Sequence, residues 1–196
     1  MQQYTLVITG PIGAGKSSIC NLLHSTFDSD YIKEYIDMAG GERMLEKWIK
    51  HEIEDSEFQD YILNCTKLQL ECAKRPIRII ERLPNECYYI FSPENHDLLQ
   101  KATKLQRMFH IDKFNENNLT VIENTGQTVD YLAEMIKEIC LKDINDNVDS
   151  RIVYLRTPVR LSGLRIKLRG RVSEKYYSGD YLQTIYDRYE KLYNRH

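Results

Sequence analysis

The sequence lacks a long apolar run, an excess of either charge and any C-x-x-C pair. Its 196 residues carry 27 Lys and Arg against 29 Asp and Glu, a net charge of -2, so no global field draws the chain to nucleic acid or to an anionic membrane. No apolar stretch approaches the ~20 residues that span a bilayer. Met1-Gln2-Gln3-Tyr4 runs almost directly into apolar sequence, leaving no room for a signal or transit peptide, and a cytoplasmic location is the expectation. The five cysteines, Cys20, Cys65, Cys72, Cys87 and Cys140, lack the spacing of a zinc site. Their odd number reads as buried thiols rather than disulfides. Repeats, heptads and low-complexity segments are absent, and the length fits one domain, 1–196, with a sizeable core.

What is present is a complete G-x-x-x-x-G-K-[ST] loop, Gly10-Pro11-Ile12-Gly13-Ala14-Gly15-Lys16-Ser17. It follows the apolar run Leu6-Val7-Ile8 and precedes a helical pattern through Ile19, Leu22 and Leu23, the strand–loop–helix setting that a phosphate-binding loop requires. Glycines let the backbone curl so that several N–H groups point at one centre, and the following helix N-terminus favours an anion. Gly10, Gly13, Gly15, Lys16, Ser17 and Ser18 are the expected nucleotide-binding residues. Lys16 would reach the terminal phosphates of ATP and the Ser17 hydroxyl would meet Mg²⁺.

Strands are predicted at Tyr4–Thr9, Tyr31–Tyr35, Arg78–Ile80 and Arg151–Leu155, with a short extended piece at Leu119–Ile122 inside an Asn- and Thr-rich loop, Asn115–Gln127. Helices are predicted from Ser17 to about Phe27, at Arg43–Lys50, at Glu57–Ala73 and at Tyr131–Leu141. In the third of these, Phe58, Tyr61, Ile62, Cys65 and Cys72 share a face. Thr157-Pro158 reads as an N-cap and first helical residue. Leu182, Ile185, Tyr189 and Leu192 mark a last helix that Ser178 would cap. Between Ser92 and Asn147 the pattern is otherwise weak. Alternating strands and helices indicate an α/β fold, three layers around a central parallel sheet of four to five strands. Ligands in such folds sit at the carboxyl ends of the strands, which singles out the loop, Glu34 and Glu81-Arg82.

The loop alone indicates a nucleoside triphosphate. No N-K-x-D guanine motif accompanies it, and the chain is too short for a motor or transporter ATPase. A second cluster, Arg165-Ile166-Lys167-Leu168-Arg169-Gly170-Arg171-Val172-Ser173-Glu174, sets Arg165 and Arg169 on one helical face, with Arg171 after Gly170. Arginines closing over a phosphate site stabilise the charge that phosphoryl transfer spreads over oxygens.

Four segments together resemble the deoxynucleoside kinase family, the thymidine kinase-like phosphate-loop enzymes, compact viral or bacterial members in particular. They are Gly10–Ser17, the Phe58-Gln59-x-Tyr61 helix, the strand end Ile80-Glu81-Arg82, and Tyr154-Leu155-Arg156-Thr157 followed by the R-x-x-x-R-x-R-x-x-E run (Arg165, Arg169, Arg171, Glu174) and Tyr181-Leu182. The resemblance implies an ATP-dependent kinase acting on the 5′-hydroxyl of a deoxynucleoside, with an arginine-rich lid over about 165–176. It implies Glu34 as the carboxylate that takes the hydroxyl proton, Arg82 beside it, and Glu81 with Ser17 on Mg²⁺. Gln59 would read the base edge. Phe58 and Phe91 would flank the base, Arg165, Arg169 and Arg171 would clamp phosphate, and Glu174 would hold the sugar 3′-hydroxyl. A homodimer through long helices is the family expectation.

The sequence also departs from the pattern. Glu34 lacks the following proline and the tryptophan five residues on. Trp48 stands where relatives often place a sugar-contacting tyrosine, and Leu83 replaces a small hydroxyl residue. Nothing after the last helix reads as a closing strand or an adenine-covering loop. Thr66 and Cys87 occupy the positions where purine-preferring relatives tend to pair an arginine with an aspartate, which favours thymidine or deoxycytidine. The rival readings are a thymidylate-type monophosphate kinase, for which Arg43 or Arg75 would have to meet the second phosphate, and a non-catalytic nucleotide-binding regulator. The zinc-bearing thymidine kinases are excluded by the cysteine spacing.

Overall fold

The computed structural model describes residues 3–111 and 117–194. Residues 115 and 116 of the expected loop lie outside the described residues. Five strands, β1 (Tyr4–Thr9), β2 (Ser29–Ile32), β3 (Ile77–Glu81), β4 (Leu119–Glu123) and β5 (Ser150–Arg156), form one sheet in the order β2-β3-β1-β5-β4. Every pairing is parallel, with Leu6 opposite Ile79 on one side and Arg151 on the other. β1 is buried along its whole length, as befits the central strand of a sheet covered on both faces.

The helices are α1 (Lys16–Thr26), α2 (Gly41–Ile49), α3 (Asp55–Cys72), α4 (His96–Met108), α5 (Val129–Asn145), α6 (Val159–Arg169) and α7 (Gly179–Tyr193). On one face of the sheet, Ile19, Cys20 and Leu23 of α1 pack with Leu132, Ile136 and Cys140 of α5 over Leu6, Ile8 and Val153. On the other face, Val7, Ile80, Ile152 and Tyr154 meet Leu70 of α3 and Ile185, Tyr189 and Tyr193 of α7. Each fully buried Leu or Ile contributes about 1.5–3 kcal/mol. Such a three-layer core holds the carboxyl ends of β1, β2 and β3 side by side. No helix among the described residues is long and apolar enough to cross a membrane.

Several expectations are corrected in detail. β2 ends at Ile32, and Tyr35 opens a 3₁₀ turn, Tyr35–Asp37. Thr157 does not cap α6. It is fully buried below the sheet end, its hydroxyl 3.4 Å from the Leu155 carbonyl, and the helix begins at Val159 with Pro158 at the cap. Ser178 does cap α7, its Oγ accepting from the Tyr181 N–H. Cys72 is exposed while the other four thiols are buried, and all five are free. The apolar face of α3 turns to Phe58, Leu63, Cys65 and Leu70 instead. α4 lies in the stretch whose pattern was weak. Its signal was present: Asn95 caps it, accepting from the Leu98 N–H, and Leu98, Ala102 and Leu105 follow at helical spacing.

Candidate active site

The phosphate loop leaves β1 at Thr9 and enters α1 at Lys16. Two of its glycines are dictated by close approach. A Cβ at Gly10 would stand 2.7 Å from the Leu155 carbonyl oxygen, and one at Gly13 would stand 2.7 Å from that of Ser162, both at positive φ. Those neighbours are backbone and cannot swing away, so a side chain there would push the loop off β5 and α6. No side chain caps α1, which leaves its first N–H groups to meet an anion. Behind the loop, Asn124 Nδ2 donates to the Ala14 carbonyl at 2.9 Å, and Arg165 reaches the same carbonyl at 3.3 Å.

Lys16 is buried, its Nζ 3.1 Å from the Pro11 carbonyl and 3.6 Å from Glu34 Oε1. Burial pulls its proton affinity down, and the neighbouring Arg82 charge adds to that, against the carboxylates of Glu34 and Glu81. Glu34 lies two residues past the end of β2 and stands at the N-cap of the 3₁₀ turn. It accepts from Arg82 Nε. Burial works against its charge, but the Arg82 guanidinium and the Lys16 ammonium prevail and hold its carboxyl below the usual carboxylate range. Glu34 is therefore an ionised acceptor in a partly dry place.

Glu81 ends β3 and accepts from Ser17 Oγ at 3.1 Å and from the Tyr31 hydroxyl. Burial pushes its carboxyl up, the Glu34 charge adds to the rise, and Lys16 and the two hydrogen bonds oppose it. Arg82 follows at φ +66, a left-handed backbone that costs a non-glycine residue about 1–3 kcal/mol. It is fixed on several sides. Its N–H donates to the Ile8 carbonyl at 3.1 Å, its side chain bonds Glu34 and the Tyr189 hydroxyl, and its guanidinium lies 5.0 Å over the Phe91 ring.

Beyond Glu34 the cleft becomes apolar. Trp48 of α2 stacks on Phe58 of α3 at 5.0 Å and 16°, and Leu83, Cys87 and Phe91 form the opposite side. Cys87–Phe91 is a single π-helical turn, a local irregularity often found at functional sites. Gln59 is 2% exposed within this wall. Its Nε2 faces Asp55 at 3.5 Å, and its buried Oε1 has no hydrogen-bond partner among the described residues. Asp55 also accepts from Trp48 Nε1 at 3.1 Å and from Ser92 Oγ at 2.5 Å.

The arginine-rich segment closes the remaining side. Gly170 ends α6 at φ +67. Arg169 is paired with Glu174, its Nε 3.0 Å from Oε2, and Arg171 is paired with Asp37 at 2.9 Å. Gly13, Gly15, Lys16, Ser17, Ser18, Glu34, Trp48, Phe58, Gln59, Glu81, Arg82, Cys87, Phe91, Arg169, Arg171 and Glu174 thus line one cleft, with Thr66 beside them. Gly10 and Arg165 do not line it. Gly10 shapes the loop from below, and Arg165 grips the loop's outer side. Sequence reasoning missed Tyr31, Asp37, Asp55, Glu86 and Asn124, which carry no local motif and, apart from Asp55, owe their places to partners distant in the chain.

The model of the deoxynucleoside kinase family matches residues 6–196. The chain belongs to the deoxynucleoside kinase family. No curated protein matches it in sequence. Among solved structures, the deoxyadenosine kinase from M. mycoides with bound dATP superposes with a TM-score of 0.58 at 18% identity, covering 97% of this chain and 84% of that one. The same kinase with bound dCTP gives 0.57 at 22% identity, covering 97% and 83%. At such identity the likeness carries the fold, and it shows this deoxynucleoside kinase to share the all-parallel, helix-flanked sheet of its neighbours. Phosphotransfer to an alcohol acceptor follows from the family.

Proposed function

We propose that the protein transfers the γ-phosphoryl group of ATP to the 5′-hydroxyl of a deoxynucleoside, pyrimidine bases being preferred. The observation that carries this reading is the position of Glu34. An ionised carboxylate stands where the phosphate loop meets the apolar pocket, 3.6 Å from Lys16 Nζ and bonded to Arg82. An alcohol needs an acceptor for its proton as the new P–O bond forms, and a phosphate acceptor does not. Arg43 and Arg75, which a monophosphate kinase would turn to its second phosphate, lie outside the cleft lining.

In this reading the loop N–H groups and Lys16 hold the β- and γ-phosphates of ATP. Glu34 takes the 5′-proton, and Arg82 counters charge beside it. Arg169 and Arg171 leave Glu174 and Asp37 for the phosphate oxygens and act as the lid, while Glu174 turns to the sugar 3′-hydroxyl. Ser17 Oγ and Glu81 Oε2, 3.1 Å apart, form a hard-oxygen donor pair that fits Mg²⁺. The ion when bound neutralises phosphate charge. Gln59 Oε1, a buried acceptor without a partner among the described residues, calls for an N–H on the base, as cytosine or thymine provides. Thr66 and Cys87 supply no charged pair for a purine.

The test is a panel of deoxynucleosides and their monophosphates with ATP and Mg²⁺, with the products identified. The expected result is ADP and a 5′-monophosphate, formed most efficiently from deoxycytidine or thymidine. Turnover with monophosphates alone, or none with any nucleoside, overturns the reading.

A further inference from the structure

At the floor of the cleft lies a buried carboxylate that the transfer chemistry does not use. Glu86 is 0% exposed and sits between β1, the segment after β3 and α7. Its oxygens accept from Thr9 Oγ1 at 2.7 and 2.8 Å, from Tyr189 Oη at 2.8 Å, from Tyr193 Oη at 2.5 Å and from the Leu83 N–H at 3.3 Å. Among the described residues no cation pairs with it directly. Burying a carboxylate is costly even when it is hydrogen-bonded, so its consequence for its neighbours is of interest.

We propose that Glu86 is a positioning residue for Arg82, acting through the hydroxyl of Tyr189. A phenol has one hydrogen. Tyr189 gives it to Glu86, so its oxygen faces Arg82 as an acceptor, and Arg82 Nη1 donates to it. The Tyr189 ring cannot turn away, being stacked on Tyr154 at 5.8 Å and on Tyr193 at 6.1 Å.

The effect reaches Glu34. With Nη1 held by Tyr189, Arg82 meets Glu34 through Nε alone, and both the Arg82 and the Lys16 contacts fall on Oε1. Glu34 Oε2 takes no hydrogen bond from the described residues and is left for an acceptor hydroxyl. Without the Glu86 anchor, the Tyr189 hydrogen is free to turn toward Arg82. The freed Nη1 then joins Nη2 in an end-on, two-toothed pairing with the carboxylate, which occupies both Glu34 oxygens and releases the Nε–H. Glu86 thereby keeps the proton acceptor open.

The inference rests on the kinase reading for its rate effects, and its test has an arm that does not. Glu86→Gln and Tyr189→Phe should each lower kcat by about 10–100-fold, the loss of one charge-assisted hydrogen bond, with KM for nucleoside and ATP within about twofold. The double variant should be no slower than the slower single variant, because both changes cut one chain. Tyr193→Phe also removes a bond to Glu86 but leaves Tyr189 in place, and should lower Tm while keeping kcat. Full kcat in Glu86→Gln or Tyr189→Phe, or effects that multiply in the double variant, overturns the inference. If Glu86→Gln does not fold, Tyr189→Phe decides alone. In the resting enzyme, the Arg82 Nε–H resonance should be protected from exchange in the wild type and in Tyr193→Phe and lost in the other two. Its retention in both overturns the inference whatever the substrate proves to be.

Discussion

The two halves of the cleft are built in opposite ways. The phosphate half is one contiguous segment, Gly10–Ser18, and works through backbone: N–H groups, positive φ angles and carbonyls packed so tightly that no Cβ fits at Gly10 or Gly13. The acceptor half is a collection of side chains from the segment after β2, α2, α3, the turn after β3 and the segment beyond α6. In the proposed reading the acceptor half selects its partner through one ionised carboxylate, the Gln59 amide oxygen and an apolar wall. In that reading the loop backbone and Lys16 hold phosphate, and acceptor selectivity resides in side chains that can change one at a time.

The strongest way to break this comparison is to disable the phosphate half with a single side chain. Lys16→Ala should lower kcat/KM by about 10³-fold or more in a steady-state assay, because the buried ammonium is the loop's one cation at the site of charge development. A loss under about tenfold would mean that the loop backbone suffices. A middle-sized effect sharpens the other half. Gln59→Leu should raise KM for the nucleoside by about 10–100-fold with kcat and ATP binding nearly unchanged, since the base loses its hydrogen-bond partner at the wall. An equal loss for ATP would show that the halves do not act separately.

Much of this was legible in the chain, and the reason lies in the same contrast. A contiguous backbone device must be written contiguously, so the loop and the apolar strands could be read directly. Glu34 and Glu81 follow because parallel strands place their carboxyl ends together. The rest of the side-chain half, Trp48, Phe58, Gln59, Phe91 and Glu174, was readable only through resemblance. Tyr189 meets Glu86 across 103 residues, and Arg171 meets Asp37 across 134, separations that no local pattern encodes. The π-helical turn at Cys87–Phe91 follows no period that a helix or strand pattern reads, whereas the helix His96–Met108 was readable from its Asn95 cap and its apolar spacing.

The smallest expected effect concerns the meeting point of the halves. Burial opposes the Glu34 charge, yet Arg82 and Lys16 hold its carboxyl below the ordinary range. A carboxyl depressed in the folded state adds stability that is full above its unfolded pKa and is lost as pH falls through the folded one. The Tm advantage of the wild type over Glu34→Gln should therefore be a few degrees near about pH 6 and shrink toward about pH 3. A difference that grows on acidification would show the pairing to be wrong.

The most direct test of the central claim, that Glu34 joins the two halves as the proton acceptor, is a single-turnover measurement on Glu34→Gln with deoxycytidine and ATP. Phosphoryl transfer should slow by about 10²–10⁴-fold, with the ATP dissociation constant within about threefold of the wild type. Transfer at the wild-type rate would contradict the account.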